Sequence, residues 1–204
     1  MAAIAPLYAA PETVDRADTA WILSKLARPA PMHTAFVEVR DSKLLKAPLR
    51  IEGEYQRPTE DTLVREVRSP YPETTTIRSG TVSIARAGKS PRTFSLSRVP
   101  ELAGLQASFG ALLSGDRQLL EQHFRIASQG SHQHWTLTLT PKDKAFVAKV
   151  RDITLYGRGA ELRCIETAPA TPGELQRTLL AGAAHAAATA GPSADFGALC
   201  HAQE

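Results

Sequence analysis

The sequence has no uninterrupted apolar stretch of the roughly eighteen residues that a membrane-spanning helix requires, so no segment of it reads as such a helix. It is also poor in aromatic residues, at 6%, and Lys and Arg outnumber Asp and Glu by only 24 to 21. A nucleic-acid surface would need a basic stripe interleaved with aromatic platforms, and the scattered arginines form none. Only two cysteines occur, Cys164 and Cys200, which supply no zinc-type pairing and can form one disulfide or none. Gly88-Lys89-Ser90 looks like the end of a phosphate-binding loop, but Ser83 stands where that loop needs its first glycine. Gly157-Arg158-Gly159 lacks the third glycine and following helix of a dinucleotide site. No Gly-x-Ser-x-Gly elbow is present, and none of the six histidines stands in a recognisable arrangement with an acid and a nucleophile. His132 and His134 read as part of a solvated loop leading into Trp135. The expectation is a protein without catalytic residues, metal ligands or cofactor.

What is present is an ordinary globular composition, 43% apolar and 22% charged over 204 residues, enough for one substantial domain. Residues 1–10 are rich in alanine and read either as the end of a secretion signal or as a loose N-terminus. Thr13 or Asp15 can cap a helix that runs to Ala27 and ends at Arg28-Pro29. Short alternating runs follow: Ala35 to Val39, Leu49 to Arg57, Thr62 to Arg68, Thr74 to Ile77, Val82 to Arg86 and Arg92 to Arg98, with a hairpin turn at Ser79-Gly80. Leu102, Leu105, Phe109, Leu112 and Leu113 then fall on one helical stripe that Gly115 stops, and Asp116 can cap a short second helix. Further strand patterns at Phe124 to Ala127, Trp135 to Leu139, Ile153 to Tyr156, Leu162 to Ile165 and Leu175 to Leu180 return the chain to sheet. From Ala181 the sequence becomes Ala-rich, and residues 181–204 read as a flexible tail.

One residue breaks this pattern. In the run from Leu49 to Arg57, Leu49, Ile51, Gly53 and Tyr55 share one face, and the period of two puts the Arg57 guanidinium on the same face. A charge there needs a partner, a solvated rim or a polar ligand, and a cavity guarded by one arginine meets that need better than a solid core.

Tyr55-Gln56-Arg57-Pro58 with Leu63-Val64-Arg65, and Trp135 to Lys142 ending in Leu-x-Pro-Lys, resemble the LolA-like family of periplasmic lipoprotein carriers over roughly residues 17–180. The span from Arg98 to Asp116 falls where that family carries its lid. The resemblance, closest to divergent members, implies an α+β fold: a strongly curved antiparallel sheet, an incomplete β-barrel, with an N-terminal helix and a helical lid over its concave face. It further implies residues 11–180 as the carrier domain, residues 1–10 as the remnant of a signal peptide, and a monomer in the periplasm. The cargo would be an acylated lipoprotein or another lipid-like envelope product, received from an inner-membrane donor and passed to an outer-membrane acceptor. Strand parity nominates Leu49, Ile51, Tyr55, Leu63, Val82, Ile84, Phe94, Leu96, Trp135, Leu137 and Leu139 as the cavity lining, with the stripe from Leu102 to Leu113 as lid. Arg57 would latch that lid through backbone carbonyls of the helix 102–113 or of the loop Ser114 to Asp116. The reading from another class is a lipid-modifying hydrolase or acyltransferase.

Overall fold

A computed structural model of the chain describes residues 15–40, 48–98, 110–171, 175–191 and 194–201. Helix α1, Thr19–Leu26, begins later than Thr13 or Asp15 would set it, because the Asp18 side chain accepts the Trp21 N–H at 2.8 Å and closes the first turn. Strands β1 (Met32–Arg40), β2 (Leu49–Thr59), β3 (Thr62–Ser69), β4 (Glu73–Arg78), β5 (Thr81–Arg86) and β6 (Arg92–Ser95) follow as a meander. Ser79 and Gly80 take φ of 47° and 74°, the left-handed pair that a two-residue hairpin uses. Leu96, expected in a strand, instead starts the 3₁₀ turn Leu96–Arg98 and is buried there.

Residues 110–114 are helical and end at Gly115, whose φ of 70° suits a helix stop. Helix α2, Arg117–His123, is capped as its sequence predicts: the Asp116 carboxylate accepts from Leu119 N–H at 2.9 Å. The chain then forms β7 (Phe124–Gly130), β8 (Trp135–Pro141), the short helix α3 (Lys144–Val147), β9 (Val150–Arg158), β10 (Glu161–Pro169) and β11 (Gln176–Leu180). Among the described residues eleven strands make one antiparallel sheet in the order β6-β5-β4-β3-β2-β1-β11-β10-β9-β8-β7, with β6 and β7 as its edges, and the curved sheet does not close.

Two clusters of apolar side chains cover the two faces. On the concave side, Ile22, Leu23 and Leu26 of α1, with Ala111 and Leu112, pack onto Phe36, Ile51, Val67, Leu137, Leu155 and Leu180. On the convex side, Val37, Val39 and Leu179 lie under α4 (Ala181–Thr189) and α5 (Phe196–His201). The flexible tail read from the sequence is therefore corrected. Ala183, Ala184 and Ala187 are buried against the sheet, Arg50 Nη2 donates to the Ala187 carbonyl at 2.8 Å near the C-terminus of α4, and Cys200 is bonded to Cys164. Small side chains let that helix approach closely, and the strand surface supplies the burial that an isolated alanine helix lacks.

Trp135 is 2% exposed, and its indole N–H donates to the Gly159 carbonyl at 2.9 Å. Its ring lies on Gly157, where a Cβ would stand 2.0 Å from the ring. Gly157→Ala is expected to cost about 3 kcal/mol, the upper part of the range for overpacking a core. Urea denaturation reads this directly, and a cost below about 1 kcal/mol would mean that the indole has room to shift.

Candidate functional site

Where α1 ends, four elements meet at Arg28. Its N–H donates to the Leu113 carbonyl at 2.9 Å, its side chain donates to the Ala160 carbonyl in the β9–β10 turn at 3.1 Å, and its own carbonyl accepts from Arg57 Nη1 at 2.7 Å. Arg57 is 5% exposed and also pairs with the Glu60 carboxylate. Arg57 stands on the face that strand parity gives it; among the described residues it bonds Arg28 and Glu60 rather than residues 110–116, and the start of the expected 102–113 helix lies outside the described residues. The link to the helical insertion runs through the Arg28 peptide, because α1 delivers that residue between β2 and the end of helix 110–114.

Beneath this knot lies a cavity of about 260 Å³. Tyr55, Leu63, Leu112, Leu113, Leu155, Leu162, Ile165 and Leu180 line it, with Arg57, Arg28 and Lys25 also on its wall. Of the residues nominated from sequence, Tyr55, Leu63, Leu112, Leu113 and Arg57 come together here. Leu49, Ile51, Trp135, Leu137 and Leu139 belong to the packed core on the same side of the sheet rather than to the cavity wall. Val82, Ile84 and Phe94 fall in register on β5 and β6, outside both the cavity wall and the core cluster. Leu102, Leu105 and Phe109 lie outside the described residues. The reading missed Leu155, Leu162, Ile165 and Leu180, and Met32 beside them. The alternation of β9 and the apolar ends of β10 and β11 carried that signal, but parity alone does not distinguish the empty part of an interior from the filled part.

A larger hollow of about 630 Å³ opens on the convex face beside α5, lined by Gln129, His134, Tyr156, Arg163 and His201 among others. Next to it Glu166 accepts from Arg177 Nε at 2.7 Å and Tyr156 Oη at 2.9 Å, with His201 Nε2 at 3.1 Å. Burial works to raise the Glu166 carboxyl, but the bonds from Arg177, His201 and Tyr156 outweigh it and hold that group below the ordinary carboxylate range. Burial and the Glu166 contact push the Tyr156 phenol up to about 12. Glu166, Cys200 and His201 bring three potential metal ligands within 4.8 Å, yet the Cys200 sulfur is consumed by the disulfide and offers no thiolate. This cluster fastens α5 to β9, β10 and β11. The apolar cavity on the other face is the better candidate for a ligand.

The family profile described as outer membrane lipoprotein carrier protein LolA-like matches residues 8–203. Among curated proteins, none matches the chain. Among solved structures, a LolA superfamily protein of Nitrosomonas europaea aligns at 13% identity with a TM-score of 0.40, over 78% of this chain and 90% of its own. LprF from Mycobacterium bovis aligns at 12% identity with a TM-score of 0.35, over 80% of this chain and 91% of its own.

Proposed function

We propose, because this chain belongs to the family of LolA-like outer membrane lipoprotein carrier proteins, that it is a non-enzymatic periplasmic carrier. It binds the acyl part of a lipoprotein or of another envelope lipid in the concave cavity and hands it on toward the outer membrane. The observation that carries this reading is an apolar cavity on the inner face of an unclosed sheet, gripped by α1 and the end of helix 110–114. At about 30 Å³ per water-sized group, its 260 Å³ accommodates on the order of nine methylenes, and burying each stabilises the complex by about 0.8 kcal/mol. One acyl chain of moderate length fits the described volume; several chains require the cover to move. The fully buried Cys164–Cys200 disulfide supports an oxidising compartment such as the periplasm. Native mass spectrometry of protein purified from its source tests the reading. Co-purified lipid of acyl character is the expected result, while turnover of an acyl ester abolished by one point mutation would replace the carrier with a lipid hydrolase or acyltransferase.

Arg57 sets how easily that cavity opens. Its bond to the Arg28 carbonyl fixes the residue whose N–H holds Leu113, so the knot ties the end of α1 to the end of helix 110–114. Charge-assisted bonds of this kind contribute about 1.5–3 kcal/mol, a bias that a buried acyl chain overturns. Arg57→Leu is expected to keep the fold, since leucine suits that face, and to tighten binding of a fluorescent fatty acid by roughly ten-fold or more, because less of the binding energy is spent on opening. An unchanged dissociation constant would reduce Arg57 to a strand-end ion pair with Glu60.

A further inference from the structure

The concave face carries charge where an acyl chain alone would ask for none. Glu38 of β1 is 2% exposed, accepts from Arg65 Nη2 at 3.0 Å and pairs with Arg40 Nε. Arg65 of β3 lies over the Phe36 ring, 4.8 Å from its centroid, and that ring packs 4.6 Å from Tyr55. Gly53 makes this stack possible, for a Cβ there would meet the Phe36 ring at 2.9 Å. Among the described residues one carboxylate thus faces two guanidiniums, and their local excess is one positive charge. The neighbouring charged pair on the same face, Glu73 with Arg86, is balanced.

The excess lies next to the cavity. Tyr55 is directly opposite Arg65 in the β2–β3 register and directly opposite Thr34 in the β1–β2 register, and both Tyr55 and Thr34 line the cavity, as does Leu63 two residues before Arg65. The Tyr55 wall of the cavity therefore adjoins a guanidinium whose side chain is only 22% exposed. A guanidinium taken this far out of water gains most from an anion, and its planar fork suits an oxyacid.

From this we infer that the cargo is an anionic amphiphile whose acyl chain fills the cavity and whose acidic headgroup, a carboxylate or a phosphate, pairs with Arg65 and Arg40. The inference rests on the carrier reading and narrows its substrate class. It is tested with three probes of one chain length, dodecanoate, dodecyl phosphate and dodecanol, titrated calorimetrically into the full-length protein. At least one acid is expected to bind roughly ten-fold or more tighter than the alcohol, the scale of one charge-assisted hydrogen bond, and the tighter acid names the headgroup. Arg65→Gln should bring acid and alcohol to within about two-fold while leaving the alcohol's affinity in place. Because that variant leaves Glu38 with Arg40 as its partner, Glu38→Gln with Arg40→Gln and Arg65→Gln serves as the companion with no charge left in the cluster, and the same loss of preference is expected, with circular dichroism confirming the fold. Equal binding of acid and alcohol by the parent protein, or a preference that survives in both variants, overturns the headgroup assignment and leaves the carrier reading standing. Binding of none of the three probes overturns both.

Discussion

Cys200→Ser is expected to lower the unfolding free energy by about 4 kcal/mol, the chain-entropy value for a bridge spanning 36 residues. Both cysteines are 0% exposed, so the substitution also leaves a hydroxyl in an apolar site beneath α4 and α5. Helix α5 is six residues long, too short to persist unaided; besides the bridge it is held by the contacts of His201 with Glu166 and the Tyr156 ring and by the packing of Phe196 and Leu199 on the convex cluster. At about 2–4 °C per kcal/mol for a chain of this size, the melting temperature should fall by roughly 8–16 °C. Treating the parent protein with a strong reductant should reproduce the shift, and hydrogen exchange should accelerate first along α4 and α5. A fall of less than about 1 kcal/mol, with exchange unchanged over those helices, would mean that packing alone fastens them and that the bridge is incidental.

That bridge was illegible in the sequence because two cysteines far apart carry no pattern, whereas the surface it serves was written there. Ala35, Val37 and Val39 on one side of β1 and Phe36 on the other are all apolar, and a strand greasy on both faces must be covered on both. Ala181 to Ala190 is the cover for the convex side, disguised because an alanine helix has little amphipathic contrast and so offers no stripe to read. Signals that rest on local chemistry carried through: the Asp116 cap, the Gly115 stop, the Ser79-Gly80 turn and the parity of β2 depend on neighbouring residues only. The bond of Arg57 to the Arg28 carbonyl was not legible, because Arg28 reaches it only after α1 has folded back over the sheet. The same limit governs the cavity, since Leu137 in a packed core and Leu155 on a cavity wall have the same chemistry and the same alternation.

Removing the buried carboxylate at the centre of the concave charge cluster should be nearly as costly as removing the bridge. Glu38→Ala leaves the Arg65 and Arg40 guanidiniums facing each other without their shared acceptor, and breaking a buried pair in this way costs about 3–5 kcal/mol. The lower end applies here, because the Arg65 and Arg40 side chains are 22% and 49% exposed and recover part of their hydration. An expected loss of about 3 kcal/mol corresponds to a fall of roughly 6–12 °C in melting temperature. Replacing both partners, Glu38→Leu with Arg65→Met, should return much of it, since an apolar pair of similar size has no charge to desolvate. If the single variant proves as stable as the parent, Glu38 is not the group that holds Arg65 over Phe36. If the double variant is no better than the single one, the cost lies in lost packing around Phe36 rather than in stranded charge. Recovery of stability in the double variant together with loss of acid preference would separate the two duties of this cluster: the fold needs the charge of Arg65 balanced by Glu38, whereas an anionic cargo needs the Arg65 guanidinium itself.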